Sequence, residues 1–371
     1  MESSSIFLSA GDPSGDIAAA KLVSALRSIM PHLKLSGLGG NRLRQQGQDQ
    51  LAEPDDLAVL GFWEVAKRFG FFRTLLSRAA AHIAETKPKA IVLVDYPGFN
   101  LRLARRVKDL GIPIIYYISP QIWAWGKRRL KAIRELVDLM LVILPFETDF
   151  YAGTGVKTEF VGHYLLEDIP GEYISSPVPV NDPPHLAILP GSRTQEIERM
   201  LPAMLRTATM FGHKYGGRIT IAGIKNRFDY AACLKANAGE GIEISFEDSR
   251  KVICDSSLVL TSSGTATLET AIVGRPMVVV YKTGFLSYHI ARWLVKLDRV
   301  ALANLVLGEK VVPELIQQEA SPETMMRALE RYMADDTYRV GVTEKLNRVP
   351  GLLGGAGASR RAAELVSQFL N

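Results

Sequence analysis

Ser263, Gly264, Thr265 and Ala266 stand between an apolar, β-branched run, Val252 to Thr261, and a short apolar stretch through Val273 that Gly274 and Pro276 close. That order reads as strand, tight turn and helix. Gly264 lets backbone come close to a ligand, and Thr265 or Thr267 can cap the helix, which leaves unpaired N–H groups pointing outward at the positive end of its dipole. Phosphate is the group such a helix start attracts. Glu269, about one turn in, can accept from both hydroxyls of a ribose. An ordinary capped α/β turn, with Glu269 complementing the dipole, accounts for the same residues. A second loop, Pro190-Gly-Ser-Arg-Thr-Gln-Glu196, lies between the strand His185 to Leu189 and a helix from Ile197 to Tyr215. Here Gly191 and Ser192 precede Arg193, whose planar fork suits phosphate. Arg193 and Thr265 would converge on one phosphate from neighbouring loops.

The first half supplies carboxylates. Ala90-Ile-Val-Leu-Val-Asp95 is a buried strand that ends in an acid, and open α/β sheets bind ligands beyond the carboxyl ends of their strands. Asp95 is placed for chemistry, or else it caps the helix that follows. After the strand Ile6 to Ala10, the loop Gly11-Asp-Pro-Ser-Gly-Asp16 is not a dinucleotide fingerprint. Asp12 and Asp16 would repel a diphosphate, so the loop suits sugar hydroxyls, while Ser14 or Asp16 can also serve as a helix cap. Trp123 and Trp125, beside another strand end, line a pocket or pack in the core. His163 falls near the domain crossing and either contacts a diphosphate or is structural. With no Asp-x-Asp, no divalent ion is obviously supplied, so helix starts and Arg193 must meet a leaving group's charge. A single aspartate opposite such a cradle suits deprotonating a hydroxyl that attacks an anomeric carbon and inverts it.

These loops must be positioned by α/β units. The chain has 371 residues, longer than a single core usually grows, and five prolines between Pro170 and Pro184 read as a linker. Strand-first patterning restarts after it, which predicts two doubly wound domains facing a cleft: residues 1–170, joined by about 340–371 through a returning last helix, and residues 183–339. Hydrophobic content of 47% with a net charge of +5 is ordinary for a globular protein, mildly basic but short of a nucleic-acid signature. The isolated Cys233 and Cys254 suggest a reducing compartment and no zinc site. No signal peptide and no apolar run long enough to span a bilayer are found, so a cytoplasmic location is expected. Between Leu57 and Lys87, Phe62, Val65, Ala66, Phe69, Phe72 and Leu76 form a helical apolar face. Trp63, Phe71 and Leu75 lie off it, and Lys67, Arg68, Arg73 and Arg78 are interleaved. A stripe that wide, edged with basic residues, fits a membrane-interface helix or a greasy substrate wall as well as a core.

Taken together, Ala10-Gly-Asp-Pro-Ser-Gly-Asp16, Val94-Asp-Tyr-Pro-Gly-Phe-Asn100, Ser119-Pro-Gln-Ile-Trp-Ala-Trp125, Phe160-Val-Gly-His163, Leu189-Pro-Gly-Ser-Arg193 and Ser263-Gly-Thr-Ala-Thr-Leu-Glu269 resemble the lipid-A-disaccharide synthase family, in order and spacing from Ile6 to about Gln317. The resemblance implies a GT-B glycosyltransferase made of two Rossmann-like domains. It would join UDP-2,3-diacylglucosamine to 2,3-diacylglucosamine 1-phosphate through a β-1,6 bond, releasing UDP, with neither metal nor cofactor. It further implies Asp95 as base, Arg193 and the Ser-Gly-Thr turn as diphosphate holders, Asn304 in the donor site and Glu269 near the ribose. The chain departs from the family pattern at Asp12, where glutamate is usual, and at Pro13, Tyr164 and Ala303. Asp12 keeps the charge with a reach shorter by about 1.5 Å, one C–C bond.

Lipid substrates would also explain the apolar segment. Moving an acyl chain from membrane to water costs about 0.8 kcal/mol per methylene, so the enzyme must go to the bilayer. Residues 57–76, with 285–297, are expected to form a peripheral docking surface on the cytoplasmic face of the inner membrane. Two other readings share the fold: a UDP-sugar epimerase with no acceptor, which would need a carboxylate pair, and a non-catalytic UDP-sugar-binding module.

Overall fold

The computed structural model describes residues 4–53, 69–123, 128–179, 183–237, 241–282 and 299–370. Phe62, Trp63, Trp125 and the segment 285–297 lie outside the described residues, as does the side chain of Phe69. The chain divides into two compact units, residues 1–167 with 354–371, and residues 168–353.

The first unit is built on β1 (Ser5–Ala10), β2 (Lys34–Leu38), β3 (Asp49–Gln50), β4 (Ala90–Val94), β5 (Ile114–Tyr117), β6 (Leu139–Val142) and β7 (Thr158–Phe160). They form one seven-stranded sheet in the order 3-2-1-4-5-6-7, paired parallel throughout. Central strands such as Ala-Ile-Val-Leu-Val of β4 are apolar at every position because helices cover both faces. The order reverses between β1 and β4, which leaves a crevice beyond their carboxyl ends. Their register, Ala10 beside Val94, brings Gly11 and Asp12 next to Asp95.

The last helix, Ala358–Ser367, packs on Pro13–Ile29 of this unit. Glu167 fixes its start by accepting from Ser359 N (2.7 Å) and Ser359 Oγ (2.6 Å). The chain therefore returns at residue 354, not near 340, and helix Asp336–Leu346 stays with the second unit. In helix Phe69–Thr86, Leu75, Leu76, Ala79 and Ile83 are buried, and Phe71 and Phe72 pack partly against the same core. The predicted stripe placed Leu75 and Phe71 off the apolar face. The described turns instead take their phase from Leu75, Ala79 and Ile83, at helical spacing against the sheet.

The second unit carries β8 (His185–Leu189), β9 (Arg218–Ala222), β10 (Ile242–Ser245), β11 (Leu258–Ser262), β12 (Met277–Tyr281) and β13 (Glu314–Ile316), all parallel, in the order 10-9-8-11-12-13. Its switch point lies between β8 and β11. The β-branched run Val252 to Thr261 is not one strand: Asp248 caps a helix, Ser249–Cys254, by accepting from Arg250 N at 3.0 Å, and β11 begins at Leu258. The described part of the proline-rich segment also belongs to this unit. Ser175 N donates to Ile272 O (2.8 Å), and buried Arg275 donates to Ser176 O (2.7 Å) and Ser176 Oγ (2.8 Å), so the crossing comes at 167/168 rather than along a free linker.

Candidate active site

In the first unit, Asp95 follows β4 in a left-handed turn, with φ of 44° at Asp95 and 48° at Tyr96. Such backbone is costly for non-glycine residues and persists only where the surroundings impose it. Tyr116 Oη donates to Asp95 O at 2.6 Å, and Asn100 Nδ2 donates to the same carbonyl at 2.7 Å. Asn100 is fully buried and its Oδ1 accepts from Ser9 Oγ at 2.7 Å. On the facing side, a Cβ at Gly11 would lie 2.1 Å from the Tyr96 ring, so only glycine lets the two loops close.

Desolvation raises the Asp95 carboxyl from its ordinary 3.8 to about 7, the negative charge of Asp12 adds to the rise, and the Tyr96 N–H opposes it. Asp12 caps helix Pro13–Ile29 by accepting from Gly15 N at 2.7 Å, and Ser14 Oγ donates to its second oxygen at 3.1 Å. Neither Ser14 nor Asp16 is that cap. Asp16 is buried and accepts from Gly40 N, Arg42 N and Leu43 N at 2.8 to 3.2 Å, holding the turn after β2.

Trp123 is half-buried on the loop after β5, its Nε1 donating to Glu147 Oε1 at 3.2 Å. Glu147 went unnoticed in the sequence. Its signal would have been the one that marked Asp95, a carboxylate just past the carboxyl end of a buried strand, here β6. His163 is 5% exposed, stacked on Tyr164, and its Nδ1 accepts from Leu165 N at 3.2 Å. Burial, then the Lys21 charge, lowers its pKa to about 4. It is a neutral imidazole with its proton on Nε2, a donor without charge.

In the second unit, Gly191, Ser192 and Arg193 follow β8, and Arg193 is the N-cap of helix Thr194–Tyr215. Its guanidinium is largely exposed and reaches Glu196 Oε1 at 3.0 Å. Beyond β11, Ser263 Oγ donates to Val300 O at 3.1 Å, and Gly264, with φ of 148°, is the N-cap of helix Thr265–Val273. Neither threonine caps this helix. Thr267 Oγ1 donates back to Gly264 O at 2.8 Å, and among the described residues the N–H groups of Thr265 and Ala266 receive no side-chain acceptor. The two loops meet: a Cβ on Gly191 would stand 3.3 Å from Ser262 Oγ and 3.0 Å from Glu196 Oε2.

Glu269 pairs with Arg250 Nε at 3.1 Å, and Arg250 Nη1 donates to Asp168 O at 2.9 Å. Desolvation raises the Glu269 pKa against the lowering effect of Arg250. Asn304, expected at the donor site, is fully buried. Its amide donates to Val312 O (2.9 Å) and Glu314 Oε1 (2.8 Å) and accepts from Val311 N (2.8 Å) and Val312 N (3.0 Å). Those bonds leave it the work of joining helix Leu302–Leu307 to β13. Among the described residues no cluster of three or more His, Cys, Asp or Glu is arranged for a metal ion, and no helix is long and apolar enough to cross a membrane.

Residues 6–352 match the lipid-A-disaccharide synthetase family model. The lipid-A-disaccharide synthase of Anaeromyxobacter dehalogenans (strain 2CP-C) is 42% identical over 368 residues, covering 97% of this chain and 96% of the relative. The fold is similar to the crystal structure of the glycotransferase of kitacinnamycin, with a TM-score of 0.69, 14% identity and all of both chains covered. It is also similar to UDP-GlcNAc 2-epimerase from Neisseria meningitidis, with a TM-score of 0.62, 10% identity and coverage of 99% and 98%. These structural likenesses establish the GT-B fold and, at such identity, nothing finer. Sequence decides between its members: matched over nearly its whole length, the chain belongs to the lipid-A-disaccharide synthase family of glycosyltransferases.

Proposed function

We propose that the protein joins UDP-2,3-diacylglucosamine to 2,3-diacylglucosamine 1-phosphate (lipid X), forming the β-1,6-linked lipid A disaccharide 1-phosphate and UDP. One observation carries the reading: each parallel sheet has functional loops at its own switch point, Asp12 and Asp95 at the first, Arg193 and the uncapped start of helix Thr265–Val273 at the second. In this reading the acceptor's 6-hydroxyl loses its proton to Asp95 as its oxygen attacks the donor's anomeric carbon. The bond from that carbon to the diphosphate breaks, and the configuration inverts. Negative charge growing on UDP is met by Arg193, the N–H groups of Thr265 and Ala266 and the loop of Gly191, Ser192, Ser263 and Gly264. Glu269, oriented by Arg250, takes the ribose, and His163 offers its neutral N–H to the diphosphate. Asn304 contributes by bracing the donor domain, residues 168–353. Asp12 and Ser14 orient acceptor hydroxyls, while Trp123 and Trp125 wall the acceptor side.

The acylated substrates reside in the inner membrane, so the same reading puts the enzyme on its cytoplasmic face, held there by Phe62, Trp63, Phe69, Phe71 and Phe72 beside basic residues. Phe71 and Phe72 already pack partly in the core, which makes Phe62 and Trp63 the cleaner probes. Purified protein given both acylated sugars should release UDP and form the disaccharide. Absence of that product, or conversion of soluble UDP-N-acetylglucosamine in its place, would overturn the assignment. Phe62→Ser with Trp63→Ser should abolish co-sedimentation with anionic vesicles. Unchanged sedimentation would remove the docking surface.

A further inference from the structure

Glu147 is 2% exposed at the start of helix Phe146–Tyr151, and both of its oxygens are occupied. Oε1 accepts from Trp123 Nε1 at 3.2 Å, and Oε2 accepts from Leu144 N at 3.0 Å. The Trp123 ring is gripped again by Phe146, edge-on with centroids 4.9 Å apart. One carboxylate thus ties the loop after β5 to the turn after β6, in the strand sequence whose neighbour β4 ends at Asp95. A buried carboxylate is costly to desolvate, and here both oxygens are used, one on the indole and one on the backbone.

We propose that Glu147 is a positioning residue for the transfer: it fixes Trp123 as a wall of the acceptor side. The inference rests on the proposed transfer reaction. Burial raises the proton affinity of Glu147, the Leu144 N–H, the Trp123 indole and the Ile143 N–H oppose the rise, and the charge of Asp95 adds the smallest part of it. Both acids are brought to about 7. Other groups facing the pair are Asp12 and Tyr96 at Asp95, Tyr151 at Glu147, and Tyr116 with Arg129 between β5 and the helix after it. Tyr151 Oη is held by Ser119 at 2.8 Å, and the Tyr116 hydroxyl is engaged by Asp95 O.

Two measurements test this. The emission of Trp123, taken as wild type minus Trp123→Phe, should titrate near pH 7 as Glu147 ionises, and in Glu147→Gln that titration should vanish. No substrate is needed, so the result stands apart from the reaction assigned. In the transfer assay, Glu147→Gln should raise the acceptor KM severalfold and leave the donor KM unchanged. A purely structural glutamate would lower stability and leave the ratio of the two KM values where it was. An indole signal that does not titrate, one that persists in Glu147→Gln, or an unmoved acceptor KM overturns the proposal. Should Glu147→Gln not fold, Trp123→Phe alone must raise the acceptor KM with the donor KM unchanged, and failure to do so overturns it equally. Wild-type protein that forms no disaccharide refutes the assigned reaction while leaving the indole titration to be judged by itself.

Discussion

Replacing Asp95 with asparagine should make the protein less active and more stable at once. The Asp95 carboxyl, ordinarily at 3.8, is carried to about 7 by burial and by Asp12. A group whose folded pKa exceeds its unfolded value holds its proton better in the folded chain. Its contribution to stability is therefore full below about pH 4 and is lost as pH rises through 7. A displacement of about three units at about 1.4 kcal/mol each sets a ceiling near 4 kcal/mol, and partial solvent contact reduces it to about 2–4 kcal/mol. The asparagine side chain would carry no charge to bury, so Asp95→Asn should gain most of that at pH 8 and less than half of it at pH 5. Activity should fall by about 10²- to 10⁴-fold, the scale of a lost general base. In the wild type, kcat/KM should rise with pH through about 7 and level off above it. Denaturant unfolding at the two pH values, paired with UDP release from both acylated sugars, checks the whole chain of reasoning. Undiminished turnover would remove Asp95 as base, and a variant no more stable at pH 8 than wild type would refute the claim that its charge is held at a cost.

Arg193→Lys keeps the charge and loses the planar fork, so the donor KM should rise about tenfold with little change in acceptor KM, measured by initial rates in each substrate. Gly11→Ala places a methyl group 2.1 Å from the Tyr96 ring, which must displace the turn bearing Asp95; turnover should drop about tenfold or more while UDP binding, followed calorimetrically, stays intact. Asn304→Ala strands two buried N–H groups and removes a donor to the half-buried Glu314 carboxylate, and should cost about 2–4 kcal/mol in urea unfolding, with the donor KM of the surviving folded protein close to normal.

The parts of the fold and site readable from sequence were those where one local cause decides. Uniformly apolar runs such as Ala90 to Val94 are strands buried on both faces, and the residues directly beyond them, Asp95, Arg193 and Gly264, must emerge at the carboxyl edge whatever the helices do. Competition between causes hid the rest. Val252 and Ile253 favour strand by propensity, yet Asp248 ahead of them nucleates a helix, and burial of that helix beside β8 outweighs the preference. Asn304 has the residue type of a ligand contact, and only its four internal bonds show that it works inside the protein. Glu147 needed Trp123, remote in sequence, before its role was visible. The crossing at 167/168 was obscured for a similar reason: prolines mark a chain that cannot be helix, and whether it hangs free or is pinned depends on Arg275, about a hundred residues on.

Asp12 shows how one substitution can reconcile structure with chemistry. Its first oxygen closes the cap on helix Pro13–Ile29 at Gly15 N, and its second receives Ser14 Oγ. A cap of this kind wants the short side chain of aspartate, since the extra methylene of glutamate carries the carboxylate past the amide it must meet. The same charge adds to the rise in the Asp95 pKa that burial causes, so one residue makes the cap and contributes to the elevated proton affinity. At the second switch point the logic is opposite: the helix start at Gly264 is left without a side-chain cap, and a cap is what a bound phosphate would supply. The two sheets thus differ in how the first helix turn at each switch point is finished, one capped by a carboxylate, the other with no side-chain cap among the described residues.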